Sequence, residues 1–224
     1  MVVPTRSRPG NAARLARAFR ETRADATLVL GCDDDDPCLG EYVSVADEFM
    51  TFVRLDFRPR TTMAATLNAL APGLAVEFDA VGFMGDDHLP RTPNWDATVL
   101  RVLRQHPGLA YGDDLVHGRA LATSIFMSSS VVLTLGYMSP PGIGHLFIDD
   151  FWMELGSRAH ALTYLPDVVV EHMHPIAGKA ERDDGYERVN SPEVWARDEA
   201  AYENWKATRA ADDVATVRRL LRHG

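Results

Sequence analysis

The chain has 224 residues, of which 46% are hydrophobic and 25% charged; this is the balance of an ordinary folded protein, neither disordered nor membrane-embedded. Its formal charge of -9 leaves no surplus of Lys and Arg to neutralise a nucleic-acid duplex, although one local Arg or a bound metal suffices for a single nucleotide. No apolar run approaches a membrane span, and Met1 leads into Val2-Val3-Pro4 without a basic region and apolar signal core, so a cytoplasmic location is expected.

In chain order, Val2-Val3-Pro4 reads as a short strand, and Asn11 starts a helix with Ala12, Leu15, Ala16 and Phe19 on one face. Residues 26–30 form a buried strand that ends at Gly31, ahead of the run Asp33 to Asp36, which Cys32 and Cys38 bracket. These are the only cysteines, too few for a disulfide framework or a cysteine-type zinc site. Residues 52–55 predict a third strand, 62–70 a helix and 81–84 a fourth strand, followed by a helix over 94–105. Strands alternating with helices imply a mostly parallel sheet covered on both faces, with ligands gathered beyond the carboxyl ends of its strands.

The second half is less regular. Residues 124–127 read as a strand, Ser128-Ser129-Ser130 as a helix start, and the Pro- and Gly-rich stretch 137–144 as a loop. Asp149-Asp150 opens an amphipathic helix with Phe151, Trp152 and Leu155, and Pro166-Asp167 splits two strand-like runs, 163–165 and 168–174. From Lys179 to Asn190 the chain is charged and expected to be mobile. Ser191-Pro192 then starts a helical pattern through Trp195, Tyr202, Trp205, Val214, Val217 and Leu221.

Three clusters have the residue types of a reaction centre. Gly85-Asp86-Asp87-His88 follows the fourth strand directly, so oxygen and nitrogen ligands stand at one sheet edge, where a divalent cation and a phosphorylated substrate can meet. His172 and His174 share one face of a strand and can ligate the same ion, or serve only as polar strand-end residues. Either acid of the pair Asp149-Asp150 can take a proton from a hydroxyl, and equally either can cap its helix. Asp33 and Asp34, at the end of the second strand, suit a base or ribose; Thr5 and Arg6 follow the first strand, and Arg60 and Lys179 are candidate phosphate partners.

Read in order, Val3-Pro4-Thr5-Arg6, Leu28 to Asp34, Arg60 to Ala69, Phe83 to His88, Phe147 to Trp152 and Leu165 to His172 resemble the nucleotide-sugar-dependent glycosyltransferases of GT-A fold, particularly the family-two type and its small phage and bacterial relatives. The likeness runs from Val2 to about Pro175. It implies an α/β, Rossmann-like, mostly parallel central sheet flanked by helices in residues 1–178; the charged linker and C-terminal helical segment in residues 179–224, read from their own pattern, are expected to pack on the same domain. It further implies a Mn2+ or Mg2+ cofactor held among Asp87, His88, His172 and His174. A nucleotide-diphosphate sugar would lie against Thr5, Arg6, Asp33, Asp34, Arg60, Asp86 and Lys179. The acceptor would be a hydroxyl of a glycan, protein or small molecule, with Asp150 beside Asp149 as the base of an inverting transfer.

The sequence departs from that family's pattern. A strict Asp-x-Asp is missing, the Asp-Gly-Ser usual after the second strand is replaced by acids, and the segment after Lys179 has no counterpart. Two rivals follow: a nucleotidyltransferase, which calls for a Gly-rich cationic loop after the first strand where Thr5 to Gly10 offers one Gly, and a binding module without turnover. The aromatic C-terminal helix can also supply a homo-oligomer contact.

Overall fold

In the computed structural model, which describes residues 1–179 and 184–223, β1 (Val2–Thr5) leads into α1 (Pro9–Glu21), whose Pro9 is pre-set for a first helical position and has no N–H to leave unpaired. β2 (Leu28–Asp33), α2 (Leu39–Glu48), β3 (Val53–Arg58), α3 (Met63–Glu77) and β4 (Ala80–Phe83) continue the alternation. Thr62 fixes the start of α3 by accepting the Ala65 N–H at 3.3 Å. β5 (His88–Pro90), α4 (Trp95–Gln105), β6 (Leu109–Asp113), β7 (Ile125–Ser128) and α5 (Ser129–Leu135) follow. The chain then forms α6 (Ile148–Ala159), β8 (Leu162–His172), α7 (Asp184–Val189), α8 (Pro192–Thr208) and α9 (Ala210–His223).

The strands form one eight-stranded sheet in the order β3-β2-β1-β4-β7-β6-β8-β5. β3, β2, β1 and β4 are mutually parallel, as is the pair β6 and β8, but β7 runs antiparallel to both its neighbours and β5 antiparallel to β8. The mostly parallel sheet expected from the sequence is therefore a mixed one. The physical reason lies between β6 and β7, where residues 114–124 hold only a short turn of 3-10 helix; a parallel return needs a crossover of a dozen or more residues. β8 is also one strand rather than two. Its pairing with β6 jumps from Gly112 opposite Leu165 to Asp113 opposite Val169, so Pro166 and Asp167 sit in a bulge, where a missing N–H costs nothing. Gly112 is required there, because a Cβ would run into the Val168 carbonyl.

Helices cover both faces. Leu15 and Phe19 of α1, Tyr42 of α2 and Trp95 and Leu103 of α4 fill one core, with Phe19 edge-on to Trp95 at 5.3 Å. Leu67 of α3, Val131 of α5 and Phe151 and Trp152 of α6 fill the other, together with Trp205 of α8 and Val214 and Val217 of α9. Trp205 stands edge-on to Phe151 at 4.8 Å and donates from Nε1 to Asp213 at 2.7 Å. The helices after Lys179 thus draw their burial from the core of the preceding residues; each buried large apolar side chain contributes roughly 1.5–3 kcal/mol. Within the charged stretch read as mobile, residues 184–189 form α7, while residues 180–183 lie outside the described residues. Among the described residues, no helix is long and apolar enough to cross a membrane.

Candidate functional site

A cavity of about 620 Å³ opens beyond the carboxyl ends of β1, β2 and β4, walled by the start of α6, the end of β8, and α7 and α8. Its floor is pinned by Asp86, which is 6% exposed. The Asp86 carboxylate accepts from Thr5 Oγ1 at 2.7 Å and Asn11 Nδ2 at 3.2 Å, and pairs with Arg8 at 3.4 Å. Burial, then the neighbouring Asp87, pushes its pKa up to about 6. Asp86 therefore binds the β1–α1 turn to the end of β4, and its oxygens are already engaged. Tyr42 completes the pin: its hydroxyl lies 3.1 Å from Thr5 Oγ1 and accepts the Arg8 N–H at 2.9 Å.

Beside it stand Asp87, His88 and His172, whose ligand atoms all lie within 4.8 Å of one another. Asp87 Oδ1 is 3.3 Å from His88 Nδ1 and Asp87 Oδ2 is 3.4 Å from His172 Nε2. The two rings stack at 4.1 Å because His88 of β5 lies directly opposite His172 of β8 in the antiparallel pair. Burial opposes charge on Asp87, yet the bonds to His172 and His88 outweigh it and hold the carboxyl well below the usual carboxylate range. Burial and the adjacent His88 lower the His172 pKa against the pull of Asp87, which favours the neutral form that a ligand role requires.

The residues fit a divalent cation on three observations. One carboxylate with two imidazoles is a mixed oxygen and nitrogen donor set. His172 Nδ1 is buried without a hydrogen-bond partner. Gly85 keeps the space clear, since a Cβ there would sit 2.5 Å from Asp87 Oδ1 and 2.9 Å from His88 Nδ1. His174 lines the same cavity with its ring 4.7 Å from that of His172, but it is not a member of the close cluster.

A second layer orients His88. Its Nδ1 lies 3.0 Å from the Gly85 main-chain nitrogen and its Nε2 3.4 Å from Thr123 Oγ1, so the ring is held at both edges. The Thr123 hydroxyl donates a hydrogen bond to Asp114 Oδ2 at 3.0 Å. Asp114 is 2% exposed; burial opposes its charge, but His117 and the amides of Val116, Gly118 and His117 outweigh that and hold it well below the usual range. The Asp114 carbonyl also accepts the main-chain N–H of His172 at 3.0 Å, so one residue contacts both the His88 side and the His172 strand of the cluster.

The remaining sequence-predicted residues divide. Asp33 lines the cavity and takes Arg6 at 2.9 Å; Arg6 also pairs with Asp35. Asp36 caps the turn by accepting from Ser7 N at 2.7 Å and Cys38 N at 2.8 Å. Asp34 is exposed and lies outside the cavity wall, because only one member of a tight acidic turn can face inward. Arg60 lines the rim of the cavity. Lys179 does not; it is held by Glu171 at 2.8 Å, outside the cavity wall. At the start of α6, Asp149 faces the cavity and Asp150 is exposed beside Glu154 and Lys206. The expectation put Asp150 at the reaction centre, whereas Asp149 is the one of the pair that lines the cavity: successive helical residues are rotated by about 100°, so only one of two neighbours can face a given wall. Burial, then Asp150, pushes the Asp149 carboxyl up to about 6.

Sequence reasoning missed Asp198. It is fully buried in α8, and its carboxylate accepts the N–H groups of Gly144 at 3.0 Å, His145 at 2.8 Å and Leu146 at 2.9 Å, with Arg197 at 2.8 Å. The signal was present: Asp198 falls on the same helical stripe as Trp195, Tyr202 and Trp205. Arg188 of α7 and Arg197 of α8, also missed, line the far wall.

No family model and no curated protein matches this sequence. Solved structures do match. A mannosyltransferase from Pyrobaculum calidifontis, PcManGT, in complex with GDP-Man and Mn2+, superposes with a TM-score of 0.59 at 12% identity, over 99% of this chain and 73% of that one. S. aureus TarS gives a TM-score of 0.58 at 12% identity, over 93% of this chain and 45% of TarS, so this chain spans less than half of that protein. A Bacillus anthracis protein provisionally named a glucose-1-phosphate thymidylyltransferase gives 0.52 at 11% identity, over 83% and 98% of the two chains. At these identities the likeness is one of fold alone.

Proposed function

We propose that the protein transfers a sugar from a nucleotide-diphosphate sugar to an acceptor hydroxyl. The observation that carries the reading is that Asp149 and the Asp87–His88–His172 cluster line one cavity at the carboxyl side of the sheet. The resemblance of the motif order to family-two glycosyltransferases and the fold shared with sugar-nucleotide enzymes support it. Asp33 and Arg6 suit the nucleoside end, and Arg60 and Arg188 at the rim suit the diphosphate. Asp87, His88 and His172 would hold the metal, and two imidazoles favour Mn2+ over Mg2+. When bound, that ion would supply positive charge against the departing diphosphate.

Asp149 is the proposed base. Ionised, its carboxylate takes the proton of the acceptor O–H; the oxygen forms a bond to the anomeric carbon as the bond to the diphosphate breaks, and the diphosphate leaves with the electron pair. A carboxylate with a pKa near 6 is well placed to do this around neutral pH. Attack opposite the leaving group would invert the anomeric centre. Nucleotidyl transfer fits less well, because the turn after β1 presents guanidiniums already committed to Asp33, Asp35 and Asp86.

The test is product analysis after incubation with a panel of nucleotide sugars and Mn2+. Release of a nucleoside diphosphate supports sugar transfer, release of pyrophosphate from sugar phosphate and nucleoside triphosphate supports the rival, and tight binding without turnover supports a recognition module.

A further inference from the structure

Another cavity among the described residues has no lining residue in common with the first. It is a groove of about 560 Å³ between the C-terminal end of α6, at Arg158 and His160, and one face of α9, at Ala211, Val214, Ala215, Arg218, Arg219 and Arg222. Four arginines and one histidine line it and no acid does, although acidic residues outnumber Lys and Arg by 32 to 23 in the whole chain. Asp149 and Arg158 lie at opposite ends of α6, roughly 14 Å apart along its axis.

The arginines are only partly accounted for by the fold. Arg158 pairs with Glu154 at 2.9 Å. Arg218 donates to the Arg158 carbonyl, where a cation offsets the exposed C-terminal carbonyls of α6. Arg219 reaches only the hydroxyl of Thr216, at 3.2 Å. Among the described residues, Arg218, Arg219 and Arg222 have no carboxylate in ion-pair range. Capping one helix end explains one guanidinium, not the gathering of like charges around a groove. The short side chains of Ala211 and Ala215 leave room for an occupant, and Val214 gives the floor an aliphatic patch.

We propose that this groove binds a phosphate-bearing ligand carrying at least two negative charges. Guanidiniums take phosphate oxygens two at a time in a planar fork, and a dianion relieves the mutual repulsion of the side chains that bind it. The phosphate can belong to a free phosphorylated molecule or to an anionic lipid headgroup. The site is separate from the donor cavity and does not depend on the sugar-transfer reading.

The test titrates inorganic pyrophosphate, without metal, into the full chain and follows backbone amide resonances of 211–222 by NMR. In parallel, the protein is sedimented with vesicles of phosphatidylglycerol and of phosphatidylcholine. Saturable shifts in that segment, weakened at least about tenfold in the R218E/R222E variant, are expected. Pyrophosphate binding alone points to a free ligand, whereas sedimentation with phosphatidylglycerol and not phosphatidylcholine points to a headgroup. Should the double variant fail to fold, R218Q and R222Q singly are expected to weaken binding in steps. Absence of binding to every probe, or binding that survives these substitutions unchanged, overturns the proposal.

Discussion

The buried carboxylate of Asp198 accepts the main-chain N–H of His145 at 2.8 Å, and through it α8 holds the loop that delivers α6 to the cavity. Gly144 and Leu146 share the same carboxylate. The C-terminal segment, which has no counterpart in the resemblance, is thereby built into the wall of the site. Asp198→Ala would leave these amides unpaired in the interior, at a cost of roughly 3 kcal/mol or more. Chemical denaturation is expected to show that loss, and Asp198→Asn, which keeps acceptor capacity, a smaller one. Burial opposes the charge, but Arg197 and the amides outweigh it and depress the Asp198 pKa, so its stabilisation is present above about pH 4 and is lost as pH falls through the folded value.

Exchanging the acids at the start of α6 separates their roles. Asp149→Asn is expected to lower kcat by about 10²–10⁴-fold with donor binding kept, while Asp150→Asn stays near wild type. Steady-state rates with a donor identified by product analysis check this; equal losses in the two variants would remove the distinction.

The pH profile carries a further expectation. Because Asp149 must be ionised to accept a proton and its pKa is about 6, kcat/KM is expected to rise with pH through that value and level off above it. Removing the like charge in Asp150→Asn moves the rise to lower pH. For stability the sign is opposite: a raised carboxyl pKa means the folded state holds the proton more tightly, so this contribution declines as pH rises from about 4 through 6.

Gly85→Ala places a methyl group against Asp87 Oδ1 and His88 Nδ1. Mn2+ titration followed by electron paramagnetic resonance is expected to show affinity reduced by at least about tenfold, as in His172→Ala. Retained affinity in both variants would move the metal elsewhere.

Asp114 acts at one remove. Asp114→Asn weakens the bond that fixes Thr123 and, through it, the orientation of the His88 ring. The expected result is a Mn2+ affinity lower by about 10-fold and a changed imidazole nitrogen shift of His88 in the metal-free protein, a signature that a general loss of packing does not give.

The sequence placed the main acidic clusters correctly at strand ends because a buried apolar run followed by Gly and acids can go nowhere else in an α/β sheet. It did not reveal β5, which has only 3 residues and ends in Pro90, or β6, where Ala110, Gly112 and Asp113 dilute the β-branched and aromatic content that marks a strand. Which of Asp149 and Asp150 faces the cavity depends on the angle at which Phe147, with φ at 64°, launches α6; no spacing rule contains that angle. Lys179 was assigned from its charge and Asp34 from its place at a strand end, and neither says which surface a side chain joins. Asp198 was readable as an acid on an apolar helical stripe, yet its purpose appears only once the loop 144–146 is folded against it.

The central claim is that the cavity beside Asp87, His88 and His172 takes a metal and a nucleoside diphosphate together. Thermal unfolding with a panel of nucleoside diphosphates, with and without Mn2+, in wild type and Asp87→Ala tests it most directly, since binding to the folded state raises the melting temperature by mass action. The account predicts a Mn2+-dependent rise for one diphosphate, absent in Asp87→Ala. No rise with any diphosphate, or the same rise in the variant, would contradict it.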